Sequence, residues 1–95
     1  MKEVNSKHRI LILGVSGFIG NAIYKELYGY FRTIGTYATP NRELQSNHQY
    51  YQYNHEEDDI IEILEITKPS IIISSLRGNF ATQVIAHQHI VEYLI

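Results

Sequence analysis

In the run Ile10-Leu11-Ile12-Leu13-Gly14-Val15-Ser16-Gly17-Phe18-Ile19-Gly20, an apolar strand breaks into glycines spaced three apart, and a helix-compatible stretch follows at once. This arrangement brings bare backbone N–H groups at a helix N-terminus up to a dinucleotide pyrophosphate. In that reading Gly14 allows the tight turn, Gly17 the close approach of phosphate, and Gly20 the packing of helix on sheet. The spacing is G-x-x-G-x-x-G rather than G-x-G-x-x-G. Asn21 stands where a Walker phosphate loop needs lysine, so that loop is excluded. The alternative is a ligand-free strand-to-helix turn.

The charges around the turn bear on that choice. Phe18 to Asn21, the first turn of the expected helix, holds no acid, which leaves its positive dipole end for a ligand. A later helix opens with Glu56, Glu57, Asp58 and Asp59, which already compensate its dipole. A helix start explains this acidic run better than a cation site does: Asn54 can cap, and Glu57 stands three residues on. At the end of the second strand, NAD binders usually place an acid to hold the ribose hydroxyls. Here Thr36-Tyr37-Ala38-Thr39-Pro40-Asn41-Arg42 has no acid before Glu43. An uncharged strand end beside Arg42 favours NADP, with NAD the alternative; Arg42 as a solvated loop residue is the other reading of that position.

Strand and helix alternate along the chain. Strands are expected at His8–Leu13, Arg32–Thr39, Tyr50–Tyr53 and Ser70–Ser74. Helices are expected over 18–30, on the spacing of Ile19, Ile23 and Leu27 with Gly29 as a stop, and over 56–67, ended by Lys68-Pro69. A last helix carries Phe80, Val84, His87, Val91 and Leu94 on one face. The segment 40–49 between strands two and three is polar and turn-rich. The pattern is that of a doubly wound α/β fold with right-handed crossovers.

Composition narrows the function classes. A net charge of −2, with Lys and Arg scattered singly, argues against nucleic-acid binding. The sequence has no cysteine, which removes thiol catalysis and disulfides. Met1–Arg9 is polar and is no signal peptide, and the longest apolar run is only a strand's length, so no membrane partner is expected and the expected location is the cytoplasm. His87 and His89 are two apart and cannot share a metal from one helix. The eight tyrosines are assigned to strand edges and core packing rather than to a stacking surface.

Three stretches together resemble the extended short-chain dehydrogenase/reductase superfamily, nearest its dTDP-4-dehydrorhamnose reductase type and the related sugar-nucleotide epimerases. They are the glycine turn Gly14–Gly20, the strand Lys68-Pro69-Ser70-Ile71-Ile72-Ile73, which is similar to that family's K-P-D-V-V-I, and Tyr53-Asn54, where the family has a hydrophobic-Asp pair. The resemblance spans essentially the whole chain, but only the N-terminal portion of such an enzyme. It implies that the N–H groups of Phe18 and Ile19 meet the pyrophosphate with Ser16 beside it. It further implies that Asn54 and His55 flank the adenine, and that Ser75, Leu76 and Arg77 approach the ribose and pyrophosphate. Tyr37 and Arg42 are the candidates at the second strand's end.

Two departures stand out: Asn54 replaces the usual Asp, and Ser75-Leu76-Arg77-Gly78 replaces a run of small alanines, so that Arg77 either assists phosphate binding or crowds it. The family's catalytic Tyr-x-x-x-Lys pair does not occur in the sequence. Without that lysine, a tyrosine phenol lacks the neighbouring cation it needs to act as a proton donor near neutral pH.

The expected fold is therefore one domain over 1–95, a partial Rossmann-like parallel sheet of about four strands in the order 3-2-1-4. It is expected to stop before the fifth strand and the catalytic region. The expected function is the NAD(P)-binding part of a sugar-nucleotide oxidoreductase, whose substrate would be met by a C-terminal region. The alternative is a non-catalytic dinucleotide-binding or regulatory module. Self-association is expected through the uncovered fourth strand or the last helix.

Overall fold

A computed structural model describes residues 5–39 and 49–95. Arg42 and the turn expected at Pro40-Asn41 lie outside the described residues. The elements are β1 (Asn5–Leu13), α1 (Phe18–Leu27), β2 (Phe31–Tyr37), β3 (Tyr50–Gln52), α2 (Ile60–Thr67), β4 (Ile71–Ser74) and α3 (Phe80–Leu94). β1 pairs in parallel with β2 on one side and β4 on the other, and β2 pairs in parallel with β3. The chain is thus α/β, an all-parallel sheet in the order 3-2-1-4 with three helices among the described residues, a partial Rossmann-like architecture.

The doubly wound arrangement follows from β1. Successive strand residues point to opposite faces, and every residue from Ile10 to Leu13 is apolar and buried. Ile10 and Ile12 pack with Val15 and Tyr24, on the α1 side. Leu11 and Leu13 pack with Tyr53, with Ile60, Ile63 and Leu64 of α2, and with Ile90 of α3. A strand covered on both faces reads as a continuous hydrophobic run, which is why it was legible.

Helix limits differ from expectation for local reasons. α1 stops at Leu27, because the Tyr30 N–H turns back to the Leu27 carbonyl at 3.0 Å. α2 starts at Ile60 rather than Glu56. The Asn54 carbonyl accepts from the N–H groups of Glu57 and Asp58, closing a separate turn, and Asp59 is the N-cap, accepting from the Ile61 N–H at 3.0 Å. It ends on Lys68 in the left-handed region, φ 45°, ahead of Pro69.

α3 begins at its cap Asn79, whose side chain accepts from the Thr82 N–H. It turns Ala86 and Ile90 to the core and leaves Phe80, Val84, Val91 and Leu94 exposed. No helix among the described residues is long and apolar enough to cross a membrane.

Candidate functional site

The turn after β1 is held by β2. The Gly14 N–H points to both the hydroxyl and the carbonyl of Thr36, at 3.1 and 3.2 Å, and the Val15 N–H donates to the same carbonyl at 2.8 Å. Thr36 is fully buried, so these bonds are shielded from water. Gly14 has φ +88°, and a Cβ on it would lie 2.5 Å from the Ser75 carbonyl oxygen. A side chain there is excluded twice, by conformation and by the β4–α3 loop. At Gly20 a Cβ would stand 2.8 Å from the Gly14 carbonyl carbon, so α1 sits directly against the turn. Gly35 serves the same junction: its missing Cβ makes room for Val15.

Gly17 is different. It caps α1 in extended conformation, φ −78° and ψ 165°, which any residue adopts. A Cβ there would meet the Gly14 oxygen at 3.6 Å and the Arg77 guanidinium at 3.8–3.9 Å, all ordinary contacts. The protein's own atoms therefore do not demand glycine at 17. No side chain caps α1 and its first turn carries no acid. A helix leaves its first N–H groups without intrahelical partners, so those of Phe18 and Ile19 are free for a ligand. The side chains of both residues are exposed.

Beside this helix start lies a cleft of about 290 Å³ outside the carboxyl ends of the strands, and Phe18 and Ile19 are not among the residues that line it. Its walls are Gly14, Ser16 and Gly17 after β1, Ala38 and Thr39 after β2, Tyr53 and His55 after β3, and Ser75, Leu76 and Arg77 after β4. β1 lies between neighbours reached in opposite directions along the chain, the position where open α/β sheets hold ligands. Among the described residues no carboxylate lines the cleft. Its polar side chains are the Ser16, Thr39 and Ser75 hydroxyls, the Tyr53 phenol, the His55 imidazole and one guanidinium, which with the backbone amides make a set suited to an anion.

Tyr53 and Leu76 give the apolar part. Burial, then Asp58 and Asp59, push the Tyr53 phenol up to about 12, so it stays neutral. The place of a Gly17 Cβ is unfilled, bounded by the Arg77 guanidinium 3.8–3.9 Å away, with anion donors on one side of the cleft and apolar wall on the other.

The structure thus brings Gly14, Ser16, Gly17, His55, Ser75, Leu76 and Arg77 to one cleft. Gly20 is buried under the turn. Tyr37 is buried, with its carbonyl accepting from the Tyr53 N–H, and does not line the cleft. Asn54 also stays off it: its side chain accepts from the Glu56 N–H, and its own N–H donates to Asp58.

The sequence by itself does not mark Thr36 or Gly35 as part of the site. A glycine inside a strand signals a close backbone approach and was the available sign for Gly35. Nothing local marks the Thr36 hydroxyl as the partner of Gly14. Among the described residues no cluster of His and acidic side chains is arranged to hold a metal ion. Comparison of the chain with protein-family models, with curated proteins and with solved structures finds no match.

Proposed function

We propose that this chain binds a nicotinamide dinucleotide, as the cofactor-binding part of a sugar-nucleotide oxidoreductase of the short-chain dehydrogenase/reductase kind. The observation that carries the reading is Gly17. It is a glycine the protein's own packing does not require, standing at an uncapped, acid-free helix start beneath an arginine. A phosphate in the space above it explains both the glycine and the cation.

In this reading the Phe18 and Ile19 N–H groups, Ser16 and Arg77 hold the diphosphate. Tyr53 and Leu76 face the adenosine, and Ala38 and Thr39 border the ribose. The acid-free end of β2, with Arg42 downstream, favours NADP over NAD. When bound, the cofactor supplies hydride.

The residues of this chain bind and orient the dinucleotide, for no tyrosine in the sequence has a lysine four positions on to deliver the accompanying proton. That feature equally favours a second reading, a dinucleotide-binding module that does no chemistry itself. Titration with NADPH and NADH tests the shared core of both. Micromolar binding of either supports it, and no binding at millimolar concentration removes it.

A further inference from the structure

We propose that His55 is a positioning residue that controls diphosphate affinity by holding Arg77 over Gly17; this rests on the dinucleotide reading of the cleft. Arg77 lies in the loop from β4 to α3, and the next residue, Gly78, takes φ +104°. That loop is anchored from the segment after β3. His55 Nε2 bonds the Arg77 carbonyl, and Glu56 Oε1 accepts from the Asn79 N–H at 3.3 Å. The other ring nitrogen of His55, Nδ1, lies 2.7 Å from Thr82 Oγ1 in the first turn of α3. The imidazole therefore spans from the middle of the loop to the helix that ends it.

The bond directions are constrained. A carbonyl only accepts, so Nε2 carries a proton and donates. The neutral Nε2–H tautomer and the imidazolium both satisfy this. The Thr82 hydroxyl has one proton: given to the Asn79 carbonyl at 3.0 Å, it leaves the hydroxyl to accept from Nδ1–H of the imidazolium, and given to Nδ1 of the neutral ring it leaves that carbonyl. Gly78 is glycine for its φ of +104° and not for space, since a Cβ there would meet His55 Nε2 at 3.4 Å, an ordinary contact.

From the peptide that His55 holds, the Arg77 side chain turns back to the glycine turn. Its Nε and Cζ lie 3.8 and 3.9 Å from the place of a Gly17 Cβ. Among the described residues no carboxylate lines the cleft to hold the guanidinium there. Its placement follows from its backbone, and the backbone is held by His55. An arginine placed beforehand loses less freedom on binding an anion, and so binds it more tightly.

The test is a double-mutant cycle on NADPH affinity, read by nicotinamide fluorescence on the full chain. Arg77→Ala and His55→Ala are each expected to weaken binding about tenfold, the scale of one charge-assisted bond. The double variant should be no weaker than Arg77→Ala alone. His55→Gln, whose amide N–H can reach the same carbonyl, should bind close to wild type. Losses that multiply to about a hundredfold in the double variant would show that His55 acts independently of Arg77 and overturn the proposal. Wild-type affinity in His55→Ala or in Arg77→Ala would overturn it too.

Absence of NADPH binding to the wild-type chain instead removes the cofactor reading itself, and this proposal with it. Amide hydrogen exchange across residues 76–79 supplies a ligand-free check. It should quicken in His55→Ala but not in His55→Gln, and equal exchange in all three proteins overturns the latch.

Discussion

Gly17 and Gly20 belong to the same turn, yet substituting each by alanine should have opposite consequences. At Gly20 the new methyl would stand 2.8 Å from the Gly14 carbonyl carbon and 3.2 Å from the Val15 Cα. Both are backbone atoms that cannot swing aside, so α1 must shift. Overpacking of this kind costs about 1–3 kcal/mol, against a gain of up to about 1 kcal/mol for replacing glycine inside a helix. For a chain of this size each kcal/mol moves the melting temperature by about 4–8 °C. With a net loss of about 1–2 kcal/mol, Gly20→Ala should melt about 4–16 °C lower.

At Gly17 the methyl meets nothing closer than 3.6 Å. Alanine is a poorer N-cap than glycine by about 0.5–1 kcal/mol, but it restricts the unfolded chain by a similar amount. Stability should stay within about 0.5 kcal/mol of wild type. The methyl nevertheless occupies the space assigned to a phosphate, so NADPH affinity should fall by about a hundredfold or more, and Gly17→Val should abolish binding. Thermal melts by circular dichroism and NADPH titration on the same samples decide it. If Gly17→Ala melts as low as Gly20→Ala, or binds NADPH as tightly as wild type, the assignment of Gly17 to a ligand is wrong.

Three further outcomes are expected. Arg42→Ala should weaken NADPH more than NADH in parallel titrations, and equal losses would remove the reason for preferring NADP. Thr36→Val deletes the buried hydroxyl that accepts from Gly14. It should cost about 1 kcal/mol, or about 4–8 °C in the melting temperature, and an unchanged melt would mean that the Thr36 carbonyl alone holds the turn.

Alkaline stability should depend on Tyr53, whose phenol is pushed from 10.0 up to about 12 by burial and then by Asp58 and Asp59. Above pH 10 the unfolded chain ionises this group while the folded one does not, so its contribution is whole below pH 10 and is lost as pH rises through 12. Tyr24, raised by burial and by Tyr50, acts in the same direction. The urea midpoint should fall over this range, less so in Tyr53→Phe, and an equal fall in both proteins would exclude Tyr53 as a cause.

The parts of the fold visible in the sequence are those where burial writes itself into composition. Ile10–Leu13 is an unbroken apolar run and fully buried; Ile71–Ile73 is as apolar and is also a strand of the expected sheet, although Ile71 is exposed and Ile72 and Ile73 are half-buried at the sheet edge. The opening of β1 was not visible, because Asn5 pairs with Phe31 through the backbone across an irregular register. Such pairing leaves no apolar signature.

The acidic run 56–59 marks a helix start but misplaces it. Asn54 and Asp59 both cap, and only the chain path decides which cap begins the helix. α3 shows a third kind of limit. Spacing alone puts Phe80, Val84, His87, Val91 and Leu94 on one face, while in the structure Ala86 and Ile90 are the buried residues, Ile90 against α2.

At the cleft, the glycine turn announced itself through steric demands local to the sequence. The joining of His55 to Arg77 and of Thr36 to Gly14 did not, since each spans 22 residues and exists only once the strands are aligned.

The central claim is that a dinucleotide diphosphate sits on the Gly14–Gly20 turn beneath Arg77. Backbone amide shifts of the ¹⁵N-labelled chain, followed as NADPH is added, address it residue by residue. The account predicts saturable shifts at Gly17, Phe18 and Ile19 and across Ser75–Gly78, with α2 largely still. Shifts confined to other surfaces, or none as NADPH reaches millimolar concentration, would contradict it.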